Sequence, residues 1–475
     1  MRGAAHSSGE GGPAPDHPAE LDPWVARRIE DLSRPELAME AVLGLGARAV
    51  GPLRRYLDRP PQSVPHARRL AARLLGLIGG NDACDALRAL LRRHDLKSVA
   101  PTLALSESVV KDEATVQLAA TGRREFAEDY LLAFRTDRLP AAAAALADLR
   151  VVEAIPDLVA ALEDGLLADR AVKALREFGP VAGPALIRTL GERRGTAEAG
   201  VESQGSRTRR ILAAGVLAEI GALPGLAALH AMASDANPSV AAAASLAILQ
   251  MEPGEATPEL LRTLVLGGLS PDWRVRMRCQ EAAAAIGAPC AGPAAEALAI
   301  TTIADTYGVP RPVRPVERRW LVKLLLERAP AADEGVGAAL LACDSLLLME
   351  ALREVNAEGA SARVGQLTRH PDPRLRAAVA EVLGRIDGPG AESALPVLAS
   401  DPERRVRRAA LTALSAWSTT HPSAAGELGP QLPAGARWAL RLRLWWAALG
   451  VRGGRRSAGL GRRSKWRRGR DRLID

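Results

Sequence analysis

One pattern constrains this chain more than any other feature. A proline is followed by any residue, an apolar residue, three further residues and a second apolar residue. It reads Pro156-x-Leu158-x-x-x-Leu162, Pro184-x-Leu186-x-x-x-Leu190 and Pro258-x-Leu260-x-x-x-Leu264, with weaker copies at Pro224 and Pro293. These prolines are 28, 40, 34 and 35 residues apart, and Pro52 lies 104 residues before Pro156. Self-similarity at a period near 34 residues marks a repeat architecture, so chain length does not set the number of domains.

A second pattern opens the other half of each unit. Asp372-Pro373 precedes Leu375-Arg376-Ala377-Ala378, Asp401-Pro402 precedes Val406-Arg407-Arg408-Ala409-Ala410, and Ser270-Pro271-Asp272 precedes Val275-Arg276. This is the chemistry of a helix start. Asp or Ser accepts bonds from free N–H groups, and Pro suits the first helical position. Gly79-Gly80, Gly179, Gly221, Gly287 and Gly384 stand where such helices should end. Apolar residues recur at helical spacing: Leu70, Leu74, Leu77 and Ile78; Val172, Leu175 and Phe178; Val379, Val382, Leu383 and Ile386. Each period therefore predicts two antiparallel helices. Ala fills about a fifth of the chain, which favours helix and close helix packing. Sparse aromatics argue against a β-sandwich or barrel.

The segment from Ala145 to Asp164, ALADLRVVEAIPDLVAALED, resembles a HEAT repeat of the bacterial type, the phycobilisome-lyase HEAT-like repeat of the armadillo-like superfamily. Residues 372–401 and 167–190 resemble it too. The resemblance implies an all-α fold, a right-handed α-solenoid of about eleven antiparallel helix pairs of ~34 residues each. It is strong over 140–300 and 360–417. It weakens over 95–140, which has little Pro or Gly punctuation, and again over 300–360. The expected organisation is a disordered segment over 1–20, the repeats over 21–433 with loops near 193–207 and 304–316, and a basic tail over 434–475.

The charge is unevenly distributed. Net charge is +8. Residues 434–475 hold 13 Arg and Lys against 2 acids, so the rest of the chain is close to neutral. Within the tail, Trp438, Leu442, Trp445 and Leu449 fall on one side of a helix, with Arg437 and Arg441 off that side. Arg455, Arg456, Arg462 and Arg463 follow. Such a mixture suits an anionic membrane, nucleic acid or an acidic protein, or else a helix capping the last repeat.

Sequence motifs for chemistry are missing. The chain contains no P-loop, H-E-x-x-H or G-x-S-x-G. Cys84, Cys279, Cys290 and Cys343 show no C-x-x-C spacing and read as buried thiols in a reducing cytoplasm, so no metal or cofactor is expected. His94-Asp95 and His370-Pro371-Asp372 read as turns between helices, and Asp272-Trp273-Arg274 as an ordinary helix start. No signal peptide and no run of 18 apolar residues is found.

Second helices line the concave face in proteins that this chain resembles. That implies a partner groove, basic at its N-terminal end, formed by Arg54, Arg55, Arg88, Arg92 and Arg93, then Arg188 and Arg262, and interrupted by Asp157, Glu163 and Glu296. Arg276, Arg376 and Arg407 recur at one repeat position and read instead as a ladder bonding turns. The leading reading is a cytoplasmic bacterial scaffold that binds a protein partner without catalysis and without a small-molecule substrate. The alternatives are a nucleic-acid-binding solenoid and, by the family resemblance alone, a bilin-lyase-like enzyme.

Overall fold

The computed structural model describes residues 14–420 apart from 16, 32, 34, 62–64, 94–95, 97–99, 196–201, 306–308 and 387, and describes residue 437 beyond them. The chain divides into two compact units, Met1–Asp235 with Ala247–Gly254, and Ala236–Leu246 with Glu255–Asp475. The fold is an all-α solenoid of helix pairs.

Unit 1 runs through α1 (Pro18–Glu30), α2 (Pro35–Leu43), α3 (Val50–Leu57), α4 (His66–Ile78), α5 (Asn81–Leu91), α6 (Pro101–Ala119), α7 (Ala127–Asp137), α8 (Pro140–Asp148), α9 (Ile155–Ala161), α10 (Ala168–Phe178), α11 (Gly183–Gly191), α12 (Gln204–Glu219) and α13 (Leu226–Ala233). The unit boundary falls within α14 (Pro238–Met251). Unit 2 continues with α15 (Pro258–Gly267), α16 (Trp273–Ile286), α17 (Ala291–Leu298), β1 (Thr302–Ala304), β2 (Pro310–Pro312), α18 (Pro315–Arg328), α19 (Glu334–Leu341), α20 (Ser345–Glu354), α21 (Ser361–Gln366), α22 (Pro373–Leu383), α23 (Pro389–Ala399) and α24 (Arg404–Thr420).

In each unit a helix packs on its successor and on the helix after that. In unit 1, α4, α6, α8, α10 and α12 form one layer, while α9, α11 and α13 belong to the other. In unit 2, α16, α18, α20, α22 and α24 form one layer, with α15, α17 and α19 opposite. The local chemistry is that of the repeat. Thr257, Asp272, Asp333 and Asp372 each accept a bond from the first turn of the following helix. Gly79, Gly179, Gly221 and Gly287 turn the chain out of its helix at φ of 70°, 63°, 64° and 77°, a region that Cβ disfavours. Gly384 differs: its φ is −76°. A Cβ there would lie 2.7 Å from the Ala413 Cβ, so this glycine lets α22 close onto α24.

Leu158, Leu186 and Leu260 are buried at their shared repeat position. So are Val379, Val382, Leu383 and Ile386. The stripe expected on α4 is shifted. Leu74 and Leu75 are buried with Ala71, whereas Leu77 is exposed, because Arg68 and its ion-pair partner occupy the inward face.

Three boundaries move. Pro18–Glu20 belong to α1 rather than to a disordered segment, because Pro18 starts a helix capped by His17 whose Leu21, Val25 and Ile29 are buried. The loop expected over 193–207 ends at Ser203, whose hydroxyl caps α12, and Gly195 bridges to Glu202. The loop expected over 304–316 contains half of an antiparallel hairpin, Ile303 facing Arg311, and the start of α18. The weak stretch 95–140 still forms helices. The buried face of α6 alternates Glu107, Lys111 and Glu113 with Val110, Ala114 and Leu118, which hides its apolar period. Among the described residues, no single helix is long and apolar enough to cross a membrane.

Candidate functional site

The ladder arginines bond the turn that opens their own helix. Arg276 donates to the carbonyls of Ser270 (2.6 Å) and Pro271 (3.3 Å), Arg376 to His370 (2.8 Å) and Pro371 (3.0 Å), and Arg407 to Asp401 (2.8 Å) and Pro402 (2.6 Å). Arg376 also grips the carboxylate of Asp401 at 2.7 and 3.0 Å, which links one repeat to the next. The His370 ring is buried and accepts from the Asp372 N–H at 3.1 Å; burial lowers its pKa.

Unit 1 repeats the device with buried charges. Arg68 pairs with Glu107 at 2.6 and 2.9 Å and caps the end of α3 through Leu57 O. Lys111 pairs with Asp137 at 2.8 Å and also bonds Arg93 O. Arg210 reaches Leu190 O (2.8 Å), Glu202 (2.9 Å) and Asp235 (2.7 Å).

Most of the arginines expected to line an N-terminal groove are similarly engaged. Arg55 forms a bidentate pair with Asp22 at 2.5 and 2.6 Å. Arg88 and Arg92 share the buried carboxylate of Asp129, at 2.8 and 2.6 Å. Arg93 bonds Asp58 at 2.5 Å and Leu57 O at 2.9 Å. In unit 2, Arg262 lies 3.6 Å from Glu296. Arg54 and Arg188 are exposed and form no ion pair among the described residues. The interrupting acids are also engaged: Asp157 by Arg135, and Glu163 by Arg194 and Arg209. In the tail, Arg437 is exposed, while Trp438, Arg441, Trp445, Arg455, Arg456, Arg462 and Arg463 lie outside the described residues, as do His94 and Asp95. Trp273 is exposed beside Arg274, and Asp272 caps α16.

A basic groove lies elsewhere, in unit 2, and the sequence reading missed it. Helices α20, α22 and α24 lie side by side. A cavity of about 340 Å³ between α20 and α22 is lined by Arg353, Arg374, Ala377, Ala378, Glu381, Arg385 and Arg405, among others. A second, of about 360 Å³, lies between α22 and α24 and adds Gly384, Arg408, Ala409, Thr412 and Ala413. Ala377, Glu381, Arg385 and Arg405 line both, so the two form one groove. Val379, Leu383, Val406 and Leu414 hold the helices together from the buried side.

The electrostatics of this groove are one-sided. Arg353, Arg374, Arg385, Arg405 and Arg408 are all exposed, and none forms an ion pair among the described residues. Arg385 makes only a 3.5 Å bond to Leu352 O. Neither α22 nor α24 has an acid in its first turn. Arg374 and Arg405 stand in these first turns, where Asp372, capping α22, and Glu403, preceding α24, offset part of the positive charge. A comparable cavity in unit 1, between α6 and α8, is lined by Asp112 and Asp148 with Arg170. The unit 2 groove can bind carboxylate or phosphate by bidentate guanidinium bonds. Among the described residues its only carboxylate is Glu381 and its only hydroxyl Thr412.

Among the described residues, no three His, Cys, Asp or Glu side chains are grouped to hold a metal. The four thiols are free. Burial pushes Cys279 up to about 12 and Cys290 up to about 11.

Residues 351–442, which span the groove, match the family model of HEAT repeats. No curated protein sequence matches the chain. Among solved structures, Kap121p is similar at 12% identity over 87% of this chain and 51% of that one, with a TM-score of 0.41. The chain thus spans about half the length of Kap121p. An engineered protein is similar at 18% identity over 85% and 96% of the two chains, with a TM-score of 0.31. Human deoxyhypusine hydroxylase in complex with glycerol is similar at 19% identity over 79% and 99%, with a TM-score of 0.18. The chain carries HEAT repeats over residues 351–442, within an all-α solenoid of helix pairs.

Proposed function

We propose that the protein is a non-catalytic scaffold that binds a protein partner on the exposed face of its helix pairs. We assign its repeats to the bacterial, phycobilisome-lyase HEAT-like type and the protein to the cytoplasm. The observation that carries this reading is the α20–α22–α24 groove, an open surface lined by five arginines and one carboxylate, Glu381. The buried cations of the fold, such as Arg68, Lys111 and Arg210, are engaged with acids or carbonyls, whereas these five are exposed and form no ion pair among the described residues. The test places a photo-crosslinking residue at Thr412 in the full chain, and a second at Ala144 in the unit 1 cavity, within the source cell. A discrete protein adduct at Thr412 is expected. Adducts to nucleic acid alone, or no adduct at either site, would contradict the reading.

A second reading rests on the charge of residues 434–475. This tail would bind nucleic acid or an anionic membrane independently of the groove. Phosphate binding through it should weaken steeply as salt rises.

A further inference from the structure

We infer that the α20–α22–α24 groove holds an acidic segment of the partner protein. This rests on the scaffold reading and specifies the chemistry of what is bound. The carboxylates of the segment meet Arg374, Arg385, Arg405 and Arg408, and its small apolar side chains lie over Ala377, Ala409 and Ala413.

Four observations carry it. First, positive charge is in excess: five exposed guanidinium groups and one carboxylate, Glu381, line the groove. At the helix starts Asp372 caps α22 at Arg374 N (2.8 Å), Asp401 grips Arg376, and Glu403 is exposed just before α24, so arginines still outnumber acids around the groove. Second, the floor is made of small residues. Ala377, Ala378, Gly384, Ala409 and Ala413 leave the cavities open and give a ridge of side chains somewhere to sit. Third, the lining suits peptide better than nucleic acid. It contains no aromatic side chain on which a base could stack. Glu381 at the centre can accept a bond from a peptide N–H or a lysine of the segment. Fourth, the tail of this chain is an unsuitable occupant, because residues 434–475 carry 13 basic side chains against 2 acids.

The test uses the full chain and a fluorescein-labelled 16-residue peptide rich in Glu, with Leu and Ala between, followed by fluorescence anisotropy at about 0.15 M salt. Two groove variants are compared: the reversal Arg385→Glu/Arg405→Glu/Arg408→Glu and the milder Arg385→Gln/Arg405→Gln/Arg408→Gln. The milder set keeps the test sound should the reversal unfold the last repeats, which circular dichroism reports. A tail variant carries Arg455→Gln, Arg456→Gln, Arg462→Gln and Arg463→Gln. The expected result is a loss of affinity of about tenfold or more in a folded groove variant, with a smaller loss in the tail variant. Overturning results are a smaller loss in the groove variant, a larger loss in the tail variant, or no binding by the unaltered chain. So is a DNA duplex that displaces the peptide and loses affinity equally in the groove variant, which would make the groove a nucleic-acid site. If the peptide fails while crosslinking at Thr412 still captures a protein, the scaffold reading stands and only the acidic assignment falls.

Discussion

In unit 1 the guanidinium of Arg68 is closed between α3, α4 and α6 by Glu107 and three backbone carbonyls, with 1% of its side chain exposed. In unit 2, Arg385, Arg405 and Arg408 project from α22 and α24 and form no ion pair among the described residues. Each set sits on its own unit's layer of alternate helices, and the difference lies in whether a neighbouring repeat supplies a carboxylate. A paired, buried cation fixes the register of adjacent helices and is unavailable to a partner. An unpaired, exposed one contributes little to stability and leaves a field at the surface. The division is not absolute. Unit 2 pairs Arg311 with Glu317 and Arg376 with Asp401, and unit 1 leaves Arg54 and Arg188 exposed without an ion pair.

The comparison breaks most visibly if its buried half is removed. Glu107→Ala strands the Arg68 charge in the interior and should cost about 3–5 kcal/mol, measured by urea denaturation. Hydrogen exchange should show the loss around α3, α4 and α6, because a repeat acts mainly on its neighbours. Leu186→Ala, at the repeated core position, should cost about 2–5 kcal/mol. Its effect should stay near α10–α13.

A smaller effect sharpens the unit 2 side. Burial alone would raise the Glu317 carboxyl, but the bonds from Arg311, Arg314 and the Arg314 N–H outweigh it and bring the pKa from 4.5 to about 2. The folded value is the lower one. The stabilisation is therefore present above the unfolded pKa near 4.5 and lost as pH falls from there towards 2. It should amount to about 3 kcal/mol, and Glu317→Gln should remove this pH dependence in acid denaturation. The smallest change belongs to the groove. Arg405→Ala should alter stability by less than about 0.5 kcal/mol, read from the same urea curves. A large loss there would mean that Arg405 serves the fold.

Much of the fold was legible in the sequence because its signals are local. Helix starts at Asp272 and Asp372, left-handed glycines at 79, 179, 221 and 287, and the inward Leu158 and Leu186 all follow from a few neighbouring residues. The long helix α6 was obscured because charges occupy part of its inward face, with partners far away in sequence. The hairpin was obscured because strands of three residues give too little alternation to read. The site was the least legible part. In sequence, Arg88 and Arg92 look like Arg385 and Arg405. Asp129, 41 and 37 residues beyond the first pair, engages both, and no such acid reaches the second pair. Gly384 looked like a helix stop, yet its missing Cβ is what brings α22 and α24 together.

The central claim, that arginines are engaged in one region and available in the other, is tested most directly by timed modification of the full chain with phenylglyoxal, read residue by residue by mass spectrometry. Exposure alone does not separate the two classes, since Arg55 and Arg92 have 59% and 54% of their side chains exposed. If pairing decides, Arg374, Arg385, Arg405 and Arg408 react several-fold faster than Arg55, Arg88, Arg92 and Arg93, and Arg68 and Arg376 are slowest. Equal rates across the two exposed sets, or faster reaction of Arg55 and Arg92, would contradict the division between the units.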